Sequence, residues 1–187
     1  MRRVLLLILL CLALPLAASA SSIDLSSTGG TITATTNTLS LGGDVLTKYG
    51  AISGSNLGTV TFTTPAFASG DVMNGGTIGA GGTFTITGNG SVMGVPNGVI
   101  FTGTFVSGTW THSTVTNAYT LVADITGAGG AATITEITLS GTLSPNGTIT
   151  AGSGDITLVP VPEPGTLGLL GTGLVGIGGL LRKRFPR

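Results

Sequence analysis

The chain has 187 residues, of which only 7% are charged and 41% hydrophobic, and 33 are glycine. That length suggests one domain with targeting segments, and the composition excludes both a charged disordered tail and a collagen-like repeat. The formal net charge of zero hides a segregation: Arg2, Arg3, Arg182, Lys183, Arg184 and Arg187 are terminal, while between Ser21 and Pro160 six acids stand against one lysine, leaving −5 and no basic face for nucleic acid.

The first twenty residues, "MRRVLLLILLCLALPLAASA", have the parts of a secretory signal peptide. Arg2 and Arg3 form a positive start, Val4 to Leu14 is apolar, and Pro15 breaks the helix. Ala18 and Ala20 put small residues at −3 and −1 of a cleavage site after Ala20. The alternative, an uncleaved anchor, would need about 20 apolar residues, and this run is shorter. Cys11, the single cysteine, lies inside the run, so residues 21–160 have neither a disulfide framework nor a thiolate metal site.

From Thr28 to Val159 threonine or serine alternates with apolar residues. "TITATT" (31–36), "TVTFTT" (59–64), "TFTIT" (83–87) and "VIFTGTFVSGTWTHS" (99–113) show it, and "AYTLVADITG" (118–127), "ATITEITLSGTL" (132–143) and "TITAGSGDITLV" (148–159) continue it. Period-two alternation puts one face on a core and the other in water, the mark of antiparallel strands. Expected inward residues are Ile32, Val60, Phe62, Phe84, Ile86, Phe101, Phe105, Leu121, Ile134, Ile137 and Leu139. Turns are expected at Asn74-Gly75, Asn89-Gly90, Asn97-Gly98 and Asn146-Gly147, where positive φ is cheap, with "LSPNGTIT" the clearest hairpin. Gly42 to Gly58 is the least regular stretch, and "DVLTKYG" there is compatible with a short helical turn. Seven or more short strands in about 140 residues predict an all-β body, an antiparallel β-sandwich or jelly roll. The alternative, a parallel β-solenoid, needs a fixed repeat period that the G-T-x-T units lack.

Catalytic and metal-binding patterns are scarce. His112 and Ser113 are neighbours in "GTWTHSTVT", but adjacent strand residues point to opposite faces and make a poor nucleophile–base pair. A lone histidine without cysteine is too little for zinc. Asp155 in "GSGDIT" resembles part of a calcium-binding nonapeptide, in one copy without its flanking pattern. Gly75-Gly76 and Gly81-Gly82 lack the strand–loop–helix context and the lysine of a phosphate loop. Asn89 and Asn146 open Asn-x-Ser/Thr triplets at expected turns. Trp110 and Tyr119 are candidate stacking residues for a sugar, with core packing as the alternative. No cofactor or metal is expected, and the chain reads as non-enzymatic.

After the body, Pro162-Glu163-Pro164 is an extended step, since each proline restricts its predecessor and lacks a backbone donor. Thr166 to Leu181 is an uncharged run of sixteen residues. As a transmembrane helix it would span about 24 Å, somewhat less than the ~30 Å hydrocarbon core. Arg182, Lys183 and Arg184 would be held on the cytoplasmic side, consistent with an exported body.

These residues carry a family resemblance. "VPEP", a glycine- and leucine-rich span and "RKR" resemble the PEP-CTERM sorting domain of Gram-negative bacteria, over about the last 27 residues. The resemblance implies recognition and cleavage by an exosortase, a membrane-embedded cysteine protease. It also implies transient anchoring in the membrane, then a place at the cell surface or in an extracellular matrix rich in exopolysaccharide. The expected organisation is a signal peptide (1–20), a Thr/Gly-rich β domain (21–160) and a sorting signal (161–187). The leading functional expectation is an exported surface or matrix protein. The rival is a carbohydrate-binding module using Trp110 and Tyr119.

Overall fold

The computed structural model describes residues 22–160 apart from 129 and 145. The expected signal peptide and the segment 161–187 lie outside the described residues. Ten strands follow in chain order: β1 (Ile23–Ala34), β2 (Leu39–Tyr49), β3 (Ile52–Thr63), β4 (Phe67–Asp71), β5 (Gly75–Ile78), β6 (Gly81–Asn89), β7 (Asn97–Ser113), β8 (Ala118–Gly127), β9 (Gly130–Ser140) and β10 (Thr148–Pro160). There is no helix among the described residues.

Hydrogen bonds join the strands into one sheet in the order β4-β5-β7-β6-β3-β2-β1-β10-β9-β8. A further pairing of β7 with β8 closes eight of them into a ring, leaving the β4–β5 hairpin attached through β5. The registered pairs are antiparallel throughout. The expected all-β antiparallel body is present, and its parallel-solenoid alternative fails on those registers. In place of two sheets packed face to face, one sheet closes on itself, so each ring strand has a ring neighbour on both sides. Bulges help it curl: register shifts fall between Ser26 and Ser27, Leu41 and Asp44, Phe105 and Ser107, and Leu121 and Ala123.

The stretch containing "DVLTKYG" is strand, which corrects the expected helical turn. Residues 44–49 complete β2, and Tyr49 pairs with Ile52 across a two-residue turn at Gly50-Ala51. Two register shifts within β2, between Leu41 and Asp44 and between Leu46 and Lys48, interrupt the alternation and hide the strand from a period-two reading. Asn97-Gly98 is also not a turn: both residues open β7 and pair with β6, and the loop lies before them at 90–96. Asn74-Gly75 and Asn146-Gly147 do mark turns, the latter with Asn146 at φ 58°. Asn117, at φ 46°, ends the β7–β8 turn.

Every residue expected to face inward is buried. The ring interior is filled by side chains, as the size of an eight-stranded barrel requires. Its aromatic centre joins three adjacent strands. Phe62 meets Phe105 edge-on at 5.9 Å, and Phe84 meets Phe105 at 6.5 Å and Phe101 at 6.1 Å. Gly103 and Gly127 face each other across β7 and β8. A Cβ at Gly127 would overlap the Thr102 carbonyl oxygen and lie 3.1 Å from the Phe101 ring, so the position requires glycine.

β7 is 17 residues long against 9 for β6. Its first half pairs with β6, and along the remaining edge Gly108–Thr111 pair with β5. The β4–β5 hairpin thus covers an edge that β6 is too short to reach.

Candidate functional site

Trp110 and Tyr119 sit where β7 and β8 meet that hairpin. Trp110 is 0% and Tyr119 1% exposed, so neither ring offers a face to a sugar, which corrects their expected role as stacking residues. Their rings stack on each other at 5.1 Å, and the His112 ring also stacks on Tyr119, at 4.2 Å. The polar end of each aromatic is bonded to the turn that follows β4. Trp110 Nε1 donates to the Val72 carbonyl (2.8 Å), and the Tyr119 hydroxyl donates to the Met73 carbonyl (3.2 Å). The same turn is closed by Asp71, which accepts from the amides of Met73 and Asn74 and from the Asn74 side chain. Those bonds, with the Asn74 side chain foremost, hold the Asp71 carboxyl below its ordinary range. The aromatic pair is therefore a latch between barrel and hairpin.

His112 and Ser113 have separate roles. The His112 ring is packed on Tyr119, and its buried Nε2 has no hydrogen-bond partner. Ser113 Oγ accepts from the Thr116 amide at 3.4 Å, at the β7–β8 turn. Among the described residues no three histidine, cysteine or acidic side chains gather into a group able to hold a metal ion. Asp155 lies within β10, where Ser26 Oγ donates to it at 2.8 Å.

Asp44, which the sequence reading did not single out, is the one buried acid among the described residues. It is 1% exposed; Ser27 Oγ donates to Oδ2 at 2.6 Å, and Oδ1 has no partner. Desolvation by burial pushes its carboxyl up to about 6, opposed by the Ser27 hydroxyl and the Val45 amide. The available signal was an acid inside the apolar frame of "LGGDVL", but the bulge after Leu41 decides that it points inward.

On the outer wall, a trough of about 350 Å³ crosses four adjacent strands. Thr31 and Thr33 of β1, Ser40 of β2, Thr61 and Thr63 of β3 and Thr83 of β6 supply hydroxyls around it. Gly42, paired with Thr31, also lines it and leaves open space where a side chain would stand. No charged residue lines it. The alternating threonines were legible as a wet face, but only the registers place them side by side.

The described residues thus define an all-β closed antiparallel body whose last strand runs into the tail. β10 ends at Pro160, two residues before Pro162, and near that end Leu158 pairs with Ile23 at the start of β1. The model of the PEP-CTERM protein-sorting motif matches residues 160–184, so the chain carries that motif directly after its last strand. The motif implies export, transient membrane association and exosortase-dependent processing. No curated protein and no solved structure matches the chain. The sorting residues Pro162, Glu163 and Pro164, the span 166–181, the basic residues Arg182, Lys183 and Arg184, and the cleavage-site residues Ala18 and Ala20 all lie outside the described residues.

Proposed function

We propose that this is a non-enzymatic surface or matrix protein, exported by its signal peptide and held briefly in the membrane by residues 166–181. An exosortase then cuts near Pro162–Pro164 and leaves the β body at the cell surface or in an exopolysaccharide-rich matrix. The observation that carries this reading is the sorting-motif match at 160–184, immediately following β10. The non-enzymatic part is supported by His112 and Ser113, which serve packing and a turn rather than each other. The rival module built on Trp110 and Tyr119 has no exposed ring to rest on.

The test is co-expression with a cognate exosortase of the full chain carrying a C-terminal epitope. The wild type should lose the epitope, and Glu163→Ala should retain it. Equal retention by both would overturn the sorting reading.

A further inference from the structure

We infer that the trough across β1, β2, β3 and β6 is a binding site for neutral polysaccharide; this deepens the proposed matrix association and rests on it. The walls present hydroxyls in a regular grid. Thr33 pairs with Ser40, Ser40 with Thr63 and Thr63 with Thr83, so one row crosses all four strands. Neighbouring strands lie about 4.8 Å apart and alternate residues about 6.7 Å apart along a strand, which sets the spacing of the hydroxyls. Ser40 and Thr63 already share a hydrogen bond at 3.1 Å, and each hydroxyl keeps further donor or acceptor capacity, while each threonine adds a methyl group. A glycan chain has the matching surface: hydroxyls that donate and accept, and apolar C–H faces between them.

Other ligand classes fit less well. The backbone beneath the trough is already paired on both sides of β2 and β3, so an added peptide strand has no edge to join. No cation lines the trough, and residues 21–160 carry −5, so phosphate or uronate chains meet no countercharge. The volume, about 350 Å³, lies at the small end of ligand sites and suits a short stretch of a longer chain. With no exposed aromatic ring in it, a single trough binds weakly, and retention in a matrix would come from many copies along one polymer.

Gly42 makes the site testable without disturbing the barrel. Its φ is not in the left-handed region, and a Cβ there would meet no heavy atom within 4 Å. Leucine at 42 would therefore fill the trough. Gly79, where an added Cβ would meet only the Ala68 Cβ at 3.8 Å, lies outside the trough and serves as control.

The experiment is depletion binding of the full chain, in a detergent without a sugar headgroup, to cross-linked dextran, to cellulose and to alginate beads. The wild type and Gly79→Ala should bind at least one neutral matrix and not alginate. Gly42→Leu and the double variant Thr31→Val/Thr61→Val should lose at least five-fold in affinity while keeping the wild-type melting temperature. Absence of binding to both neutral matrices, binding undiminished in these variants, or tighter binding to alginate would each overturn the inference. Epitope loss depends on Glu163 and not on the trough, so this result and the sorting result fail independently.

Discussion

Burial of Asp44 with Ser27 as its only side-chain partner makes one residue the source of a pH dependence for the whole barrel. The carboxyl ordinarily titrates near 3.8 and is pushed up to about 6 here, so the folded form holds its proton more tightly than the unfolded chain does. The contribution to stability is complete below pH about 4 and is lost as pH rises through about 6. Above that, an ionised carboxylate remains in the barrel with Oδ1 unpartnered, and a buried group left so costs about 1–3 kcal/mol. Asp44→Asn should flatten this part of the stability–pH curve and raise stability at pH 7 relative to wild type. Urea denaturation at pH 4 and at pH 7 checks it; equal slopes for wild type and variant would show that Asp44 is not the titrating group. The apolar frame around Asp44 was the only local signal, and exposed Asp24 and Asp124 also sit beside apolar residues, so its direction is decided by a bulge.

At the scale of elements, the β4–β5 hairpin is short, five and four residues to a strand, and a two-stranded hairpin alone is marginal in water. Pairing of β5 with β7 and the two bonds from Trp110 and Tyr119 hold it in place. Trp110→Phe keeps an aromatic ring but removes the donor to the Val72 carbonyl. The loss of that bond and some packing should cost about 1–3 kcal/mol. Amide exchange at Thr77 and Ile78 should accelerate by about tenfold or more, with β1 and β10 changed far less. Uniform acceleration across all strands would show that the hairpin and barrel open together. The strands themselves were legible wherever alternation ran unbroken, as at Thr83–Thr87 or in "AYTLVADITG" from Ala118 to Gly127. They were illegible at Asp44–Tyr49, where two register shifts broke the period. Likewise Asn97-Gly98 has turn composition and Gly98 does take positive φ, 105°, but both residues pair with β6.

For the whole molecule, β10 ends at Pro160 and the sorting-motif match begins at the same residue. Intact-mass measurement of the mature protein should find the first twenty residues gone and a C-terminus near Pro162–Pro164. A mass that includes residues 166–184 after co-expression with exosortase would place the cut elsewhere or remove it. Leu158 remains paired with Ile23 close to that end, so the product should keep the same cooperative melting transition as the uncut chain.

The targeting pattern and the strand content were written in local order along the chain, because a sorting tail and a period-two strand are properties of contiguous residues. The match at 160–184 bears out the tail, and the buried inward residues, from Ile32 to Leu139, bear out the strands. Tertiary structure alone decided that the sheet closes through β7 and β8, that Trp110 and Tyr119 turn inward to latch a hairpin, that Asp44 is buried, and that six scattered hydroxyls share one trough. Each of those depends on register between strands far apart in the chain. A shift of one residue reverses every side chain, and bulges placed by the three-dimensional fold make those shifts.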